Sequence, residues 1–541
     1  MKKVELNDHC LGFAECSNNC WDFSIFSTNP LQDDLTQEYY AGYVQGKLQG
    51  ADTIVAARNN TWRNTYLCDT SHSFPKKLDP SVEELARAAD ILCENYAYLY
   101  DWLAANDKGD KESVPHHIKR LLYRMLGIFD GVSKEDPQSE KNVKDCFANR
   151  LDPQKIPASE LKLKYGKDVL TFMDVYFINA QMDMMDVISD SLESKSEGKS
   201  GCRELKVDNR SIYLKPESCS AFLKRVGDDV YWTHNSWCGF LAQSCAVNYV
   251  IGDEFISQNA YCPGQFGSNM DYGFNKHGVC FNETTHRYGK SEAKTEGIWL
   301  CWRAAAAEMF AQNIEDFYRH VAIDNTGTYL NGYMLVDAKT GETGLVEMSY
   351  KRFVLYTSNG EDYKVIDSLD GETTPFGYDT ELLNREHIFG INFPISYKVK
   401  WDLESTDNRP MRRIQFSKLI GGVKDMETSK KLITYVEDDE PLSLYGRWDL
   451  GKGTTAYPRT IPDGAVDSKA FCASEVARIL TTCKFQPDEA GGMESFWMVY
   501  GTSKINGKPF IWSESQWKNV PLEYVPDKLE GKWERVKMFM K

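Results

Sequence analysis

Two short segments of this chain could do chemistry together: Ser218-Cys219-Ser220-Ala221-Phe222 and Tyr231-Trp232-Thr233-His234-Asn235-Ser236-Trp237. A thiol beside an imidazole can be an activated nucleophile, because the thiolate attacks and a neighbouring base creates it. Both segments are extended in character and flank Gly227-Asp228-Asp229, which predicts a hairpin. With 227–229 as the loop, Val226 pairs with Val230 and Cys219 faces Trp237, with His234 further along the partner strand. A two-residue loop moves the partner of Cys219 to Cys238. Alone, this pairing is unspecific. A buried, inert cysteine in a strand is commoner than a nucleophile, and a single histidine is more often structural. Other catalytic signatures are missing from the sequence: Gly-x-Ser-x-Gly, His-Glu-x-x-His, the P-loop, and Gly-x-Gly-x-x-Gly before a helix.

The elements that must position these residues change in kind along the chain. Residues 36–50 predict a helix whose Ala41, Gly42 and Gly46 permit close packing, with Gly50 near its end. Ser81 and Glu84 form a capping-box pattern ahead of a helical face from Val82 to Leu103. Another helix is expected within 160–192, so the first third reads as mainly helical. Residues 194–201 are small, polar and charged, the strongest linker signal in the sequence. Beyond them, strands are expected at 219–226, 230–237, 277–284, 330–337, 343–349 and 352–357. Helices are expected at 298–323 and about 425–436. This succession indicates a layered α/β or α+β body.

Composition limits the function classes. The net charge is −16 and no basic stripe exists, so a nucleic-acid partner is not expected. No run of eighteen apolar residues occurs, so no integral membrane span is expected. The start, Met1 to Asp8, has no apolar core of a signal peptide. Sequons stand at Asn59, Asn209 and Asn282. The cluster His9, Cys10, Cys16 and Cys20 could bind a metal, but no second Cys/His pair sits at zinc spacing. Free thiols or disulfides are the better reading, and neither a metal nor a cofactor is expected.

The Cys-Ser-Ala and His-Asn-Ser-Trp segments resemble the nucleophile hairpin of the phospholipase B-like (lamina ancestor) family. Further blocks agree in the same order: Ala41 to Gly46, Glu283-Thr284-Thr285, Gly327-Thr328-Tyr329-Leu330-Asn331, Asn392-Phe393-Pro394, Val423 to Met426, Gly446 to Leu450, and Asp463 to Lys469. Each block is short, and their collinear order from about residue 12 to about residue 520 carries the resemblance.

The resemblance implies a four-layer αββα N-terminal-nucleophile hydrolase fold with a mainly helical N-terminal part. Three regions follow: 1–193, a linker or processing segment 194–218, and the nucleophile-bearing part 219–541. Cleavage between Ser218 and Cys219 would free the α-amine of Cys219, which titrates near neutrality and can take the thiol proton. His234 and Trp237 match hairpin positions that orient the amine or line the site. Thr285, or its neighbour Thr284, matches a pocket position. Asn392 is the candidate oxyanion donor, and Arg412 or Arg413 would hold the nucleophile or a substrate anion. The expected substrate is a phospholipid or another acylated small molecule. An N-acyl amidase and a non-catalytic luminal lipid-binding protein are the alternatives. The address implied is lysosomal or secreted.

Overall fold

A computed structural model describes residues 1–539, apart from 18–19, 28, 68–78, 194–203, 208–209, 214–217, 241–244, 253, 269–270, 287, 289, 291, 370, 373–376, 407–409, 438–442, 447–462, 483–491, 502–503, 506–507, 510, 516–517, 520–525 and 529. The expected linker at 194–201, the sequon at Asn209 and most of the block Gly446 to Leu450 lie outside the described residues.

The fold is α+β. Its larger sheet has twelve strands among the described residues. Three of them come from the start of the chain: Lys2–Leu6, Cys10–Ser17 and Cys20–Ser27. Cys20–Ser27 pairs in parallel with Cys245–Ile251, and the sheet continues through Glu254–Tyr261, Tyr272–Asn275, Val279–Thr285 and Asn331–Asp337. The second sheet runs His387–Gly390, Ser218–Val226, Asp229–Gly239, Asp467–Cys472, Met493–Tyr500 and Glu534–Met538. Sequence patterning does not reveal Lys2–Ser27 and Cys245–Asn275 as strands. Lys2–Leu6 is short and mostly exposed, whereas in the longer strands many residues are buried on both faces, so they lack the alternation that marks a half-exposed strand.

The two sheets face each other. Trp232 stacks on Tyr272 with ring centroids 5.4 Å apart, and the Tyr272 hydroxyl donates to the Trp232 carbonyl at 2.9 Å. Gly390 lies in the same gap, where a Cβ would stand 2.6 Å from Thr284 Cγ2 of the facing sheet. Helices cover the opposite faces. Pro410–Leu419 sets Phe416 against Phe222 and Phe389 of the second sheet. The helix Asp34–Gln49 lies over the first strands of the larger sheet.

That helix packs against Val114–Ser133 through reciprocal glycines. A Cβ on Gly42 would lie 2.2 Å from Arg124 O, and one on Gly131 would lie 2.2 Å from Tyr43 O. The small residues expected to allow close packing therefore do so. The capping box is present as expected: Ser81 Oγ accepts from Glu84 N at 3.1 Å, ahead of Val82–Asn106.

Two expected helices are each divided. The region 160–192 holds Phe172–Asn179, capped by Thr171, and then Gln181–Glu193. The region 298–323 holds Leu300–Phe310 and Ile314–Ala322, the second restarted by Asn313, whose side chain accepts from Asp316 N. At the second break the local cap competes with a continuous helix. The sequons Asn59 and Asn282 are buried, and their amides donate to Gly166 O and Thr233 O, so neither offers an acceptor on the folded surface. No helix among the described residues is long and apolar enough to cross a membrane.

Candidate active site

The hairpin exists, but its register differs from both sequence expectations. Val226 pairs with Asp229, so the loop is Gly227-Asp228, and Cys219 faces Ser236 rather than Trp237 or Cys238. Gly227 carries φ +59°, which suits the first position of a two-residue hairpin loop. The difference matters because strand side chains alternate between faces. Cys219, Ala221, His234 and Ser236 share the face toward the larger sheet. Trp237 sits on the opposite face with Ser220.

On the inter-sheet face, Cys219 and His234 meet Asp271, which precedes the strand Tyr272–Asn275 of the larger sheet. The Cys219 thiol, an imidazole nitrogen of His234 and a carboxylate oxygen of Asp271 all lie within 4.8 Å of one another, and all three residues are buried. Asp271 is held at φ +55°. Burial pushes the His234 imidazole well below its ordinary range, and the Lys469 ammonium adds to this, so the ring is neutral. Lys469 is itself fully buried. It donates to Ser236 Oγ at 2.8 Å and to Asp467 Oδ1 at 2.6 Å. Asp467 Oδ1 also accepts from Ser236 N at 3.1 Å.

The main chain of Cys219 is gripped from the other side. Its N–H donates to Asn392 Oδ1 at 2.8 Å. Its carbonyl accepts from Arg412 Nη1, which also donates to Ser220 Oγ at 3.1 Å and to Asn392 Oδ1 at 3.0 Å. Arg412 Nη2 donates to Ile391 O at 2.9 Å. Asn392 has φ +62°, a conformation that asparagine tolerates better than most residues. Its amide donates to Thr285 O at 2.8 Å, which leaves one further N–H on that nitrogen. Trp237 donates its indole N–H to Leu444 O at 3.2 Å, and the Arg412 guanidinium lies 5.7 Å from its ring centroid.

The structure therefore brings Cys219, His234, Asn392, Arg412 and the Thr285 carbonyl to one place, with Trp237 behind Arg412. The Thr285 hydroxyl turns away to Tyr329 Oη at 3.2 Å. Arg413 is not in this group: it pairs with Asp379 at 2.7 Å and with Glu381 at the surface. Adjacent helical residues point in different directions, which separates the two arginines. Sequence reasoning missed Ser236, Asp271, Asp467 and Lys469 as site residues. Ser236 needed the correct register. Asp467 and Lys469 belong to the block Asp463 to Lys469, whose residue types alone suggest no role. Asp271 had no local signal, since only sheet stacking brings it to the thiol.

A cavity of about 40 Å³ adjoins the cluster, lined by Asp271, Ser268, Glu308, Tyr329 and Tyr333 among others. It has room for water.

The family model described as Phospholipase B matches residues 158–357. Among curated proteins, the chain is 24% identical to "Phospholipase B" of Crotalus adamanteus over 465 residues, covering 78% of this chain and 81% of that protein. It is 24% identical to "Phospholipase B-like 1" of Rattus norvegicus over 395 residues, covering 64% and 67% respectively. It is 20% identical to "Phospholipase B-like protein B" of Dictyostelium discoideum over 529 residues, covering 92% and 80%. The collinear motifs, the family-model match that spans the Cys219 hairpin and these long, shallow similarities agree: the chain is similar to the phospholipase B-like proteins.

Proposed function

We propose that the protein is a phospholipase B-like acyl hydrolase that uses Cys219 as an N-terminal nucleophile after cleavage of the Ser218–Cys219 bond. The observation that carries this reading is the treatment of the Cys219 backbone. Its nitrogen, the atom that cleavage would turn into an α-amine, already donates to Asn392, while Arg412 fixes its carbonyl. A merely structural cysteine has no need of a buried arginine and a left-handed asparagine on its own peptide group. The two facing sheets, with helices on their opposite faces, support the αββα N-terminal-nucleophile architecture that the resemblance implies.

In this reading the freed amine takes the thiol proton, and the thiolate attacks the carbonyl carbon of an acyl ester. The remaining N–H of Asn392 meets the tetrahedral oxyanion. The alcohol leaves with a proton from the ammonium, and water then hydrolyses the thioester. His234, Asp271 and the Lys469–Asp467 pair set the electrostatic field around the sulfur. Arg412 and Trp237 hold the backbone of the nucleophile in place. Phospholipid esters are the proposed substrates, in a lysosomal or secreted setting.

The test is N-terminal sequencing and intact mass of the purified protein beside Cys219→Ala, followed by phospholipid and N-acyl amide panels. The expected result is a fragment beginning Cys219-Ser220-Ala221 in wild type only, with ester hydrolysis that the variant lacks. A wild-type chain that stays uncut and inactive at acidic and neutral pH overturns the reading.

A further inference from the structure

We infer that Cys219, His234 and Asp271 form a binding site for one soft divalent cation, with Zn²⁺ as its natural chemical match. The three supply a thiolate, an imidazole nitrogen and a carboxylate oxygen, a donor set suited to four-coordinate zinc. Two come from paired strands of one sheet and the third from the approach to a strand of the other. The site is therefore made by sheet stacking and not by a local sequence motif. The ligand atoms lie within 4.8 Å of one another. Donors around a tetrahedral zinc stand roughly 3.5 Å apart, so the side chains need close by only about 1 Å.

A second observation points to a ligand here. His234 is fully buried, and among the described residues the Glu283 main chain is the partner of its ring, which engages one nitrogen and leaves the other open to a ligand. A buried imidazole is ordinarily satisfied. The adjoining cavity beside Asp271 has room for water as the fourth ligand.

Binding would release the thiol proton and place the metal on the sulfur. If the hydrolase reading above holds, the same ion caps the nucleophile and blocks turnover until it is removed. The site itself does not depend on that reading.

The experiment titrates the chelator-treated, purified protein with Co²⁺ and follows its absorption spectrum. One equivalent should give a thiolate-to-cobalt charge-transfer band and the strong visible bands of four-coordinate cobalt, both erased by Zn²⁺. Cys219→Ser should lose the charge-transfer band. His234→Gln and Asp271→Asn should weaken Co²⁺ binding at least tenfold, with circular dichroism confirming that each remains folded. Cys16→Ser, which alters an exposed thiol, should leave the spectrum unchanged. Folded wild type without the band, or a band that survives in Cys219→Ser, overturns the site. A wild-type band, with no chain cleavage or hydrolysis by the same protein once freed of metal, supports the metal site and counts against the hydrolase reading. Cleavage and hydrolysis without the band overturn the metal site and leave the hydrolase reading standing.

Discussion

Replacing Arg412 by alanine should damage this protein far more than the same change at Arg413. Arg412 is 3% exposed, and its guanidinium serves four acceptors: Cys219 O, Ser220 Oγ, Asn392 Oδ1 and Ile391 O. Arg412→Ala strands two buried carbonyls and removes the contact with the Trp237 ring. Each stranded buried acceptor costs about 1–3 kcal/mol, so the variant should lose about 3–5 kcal/mol. That is a large part of the roughly 5–15 kcal/mol that keeps a typical domain folded. Arg413 pairs with Asp379 and Glu381 near the surface, where such pairs contribute about 0–1 kcal/mol. Arg412→Lys should recover only part of the loss, because one ammonium cannot reproduce a planar fork reaching four acceptors. Urea denaturation followed by circular dichroism measures the difference, and N-terminal sequencing of the same samples reports whether the proposed cleavage before Cys219 slows with it. The reasoning fails if Arg412→Ala unfolds within about 1 kcal/mol of wild type, or if Arg413→Ala is as harmful.

Three further outcomes are expected. Gly42→Ala places a Cβ 2.2 Å from Arg124 O, so thermal unfolding should report a loss of roughly 1–3 kcal/mol as two helices are forced apart. Asp467→Asn leaves the buried Lys469 ammonium without its carboxylate and should cost about 3–5 kcal/mol, whereas replacing both residues by apolar side chains of similar size should cost less. Burial raises the carboxyls of Glu308 to about 8 and of Glu347 and Asp22 to about 7. At these three groups the folded chain therefore holds protons that the unfolded chain gives up above about pH 4. Their stabilising contribution is full below the unfolded pKa values and is lost as pH rises toward about 8. Histidines lowered by burial, His117, His234 and His320 among them, titrate with the opposite sign, so the test is the difference between wild type and Glu308→Gln. The thermal midpoint of the variant should rise relative to that of wild type between pH 5 and pH 8, and an unchanged difference counts against the assignment to Glu308.

How much of the site was legible depended on how local each signal was. The capping box at Ser81 and Glu84 was readable because it lies within one helical turn. The strands Val279–Thr285, Asn331–Asp337, Thr343–Met348 and Phe353–Ser358 were readable because glycines and turn residues bound them. The hairpin around Gly227 was also found, but its register was not. Three adjacent turn residues allow several loops, and a slip of one residue decides whether His234 or Trp237 shares a face with Cys219.

By itself, then, the sequence determined the nucleophile candidate, its hairpin, the close-packed glycine helix and the family likeness. These rest on neighbours along the chain or on ordered motifs. Tertiary structure alone decided that Arg412 and not Arg413 enters the site, that Asn392 holds the Cys219 nitrogen, that Asp271 meets the thiol, and that Lys469 bonds Ser236, the cross-strand partner of Cys219. Those contacts join residues dozens to hundreds of positions apart. They arise where one sheet stacks on another and a helix covers the outer face, and no periodicity within the chain encodes that meeting.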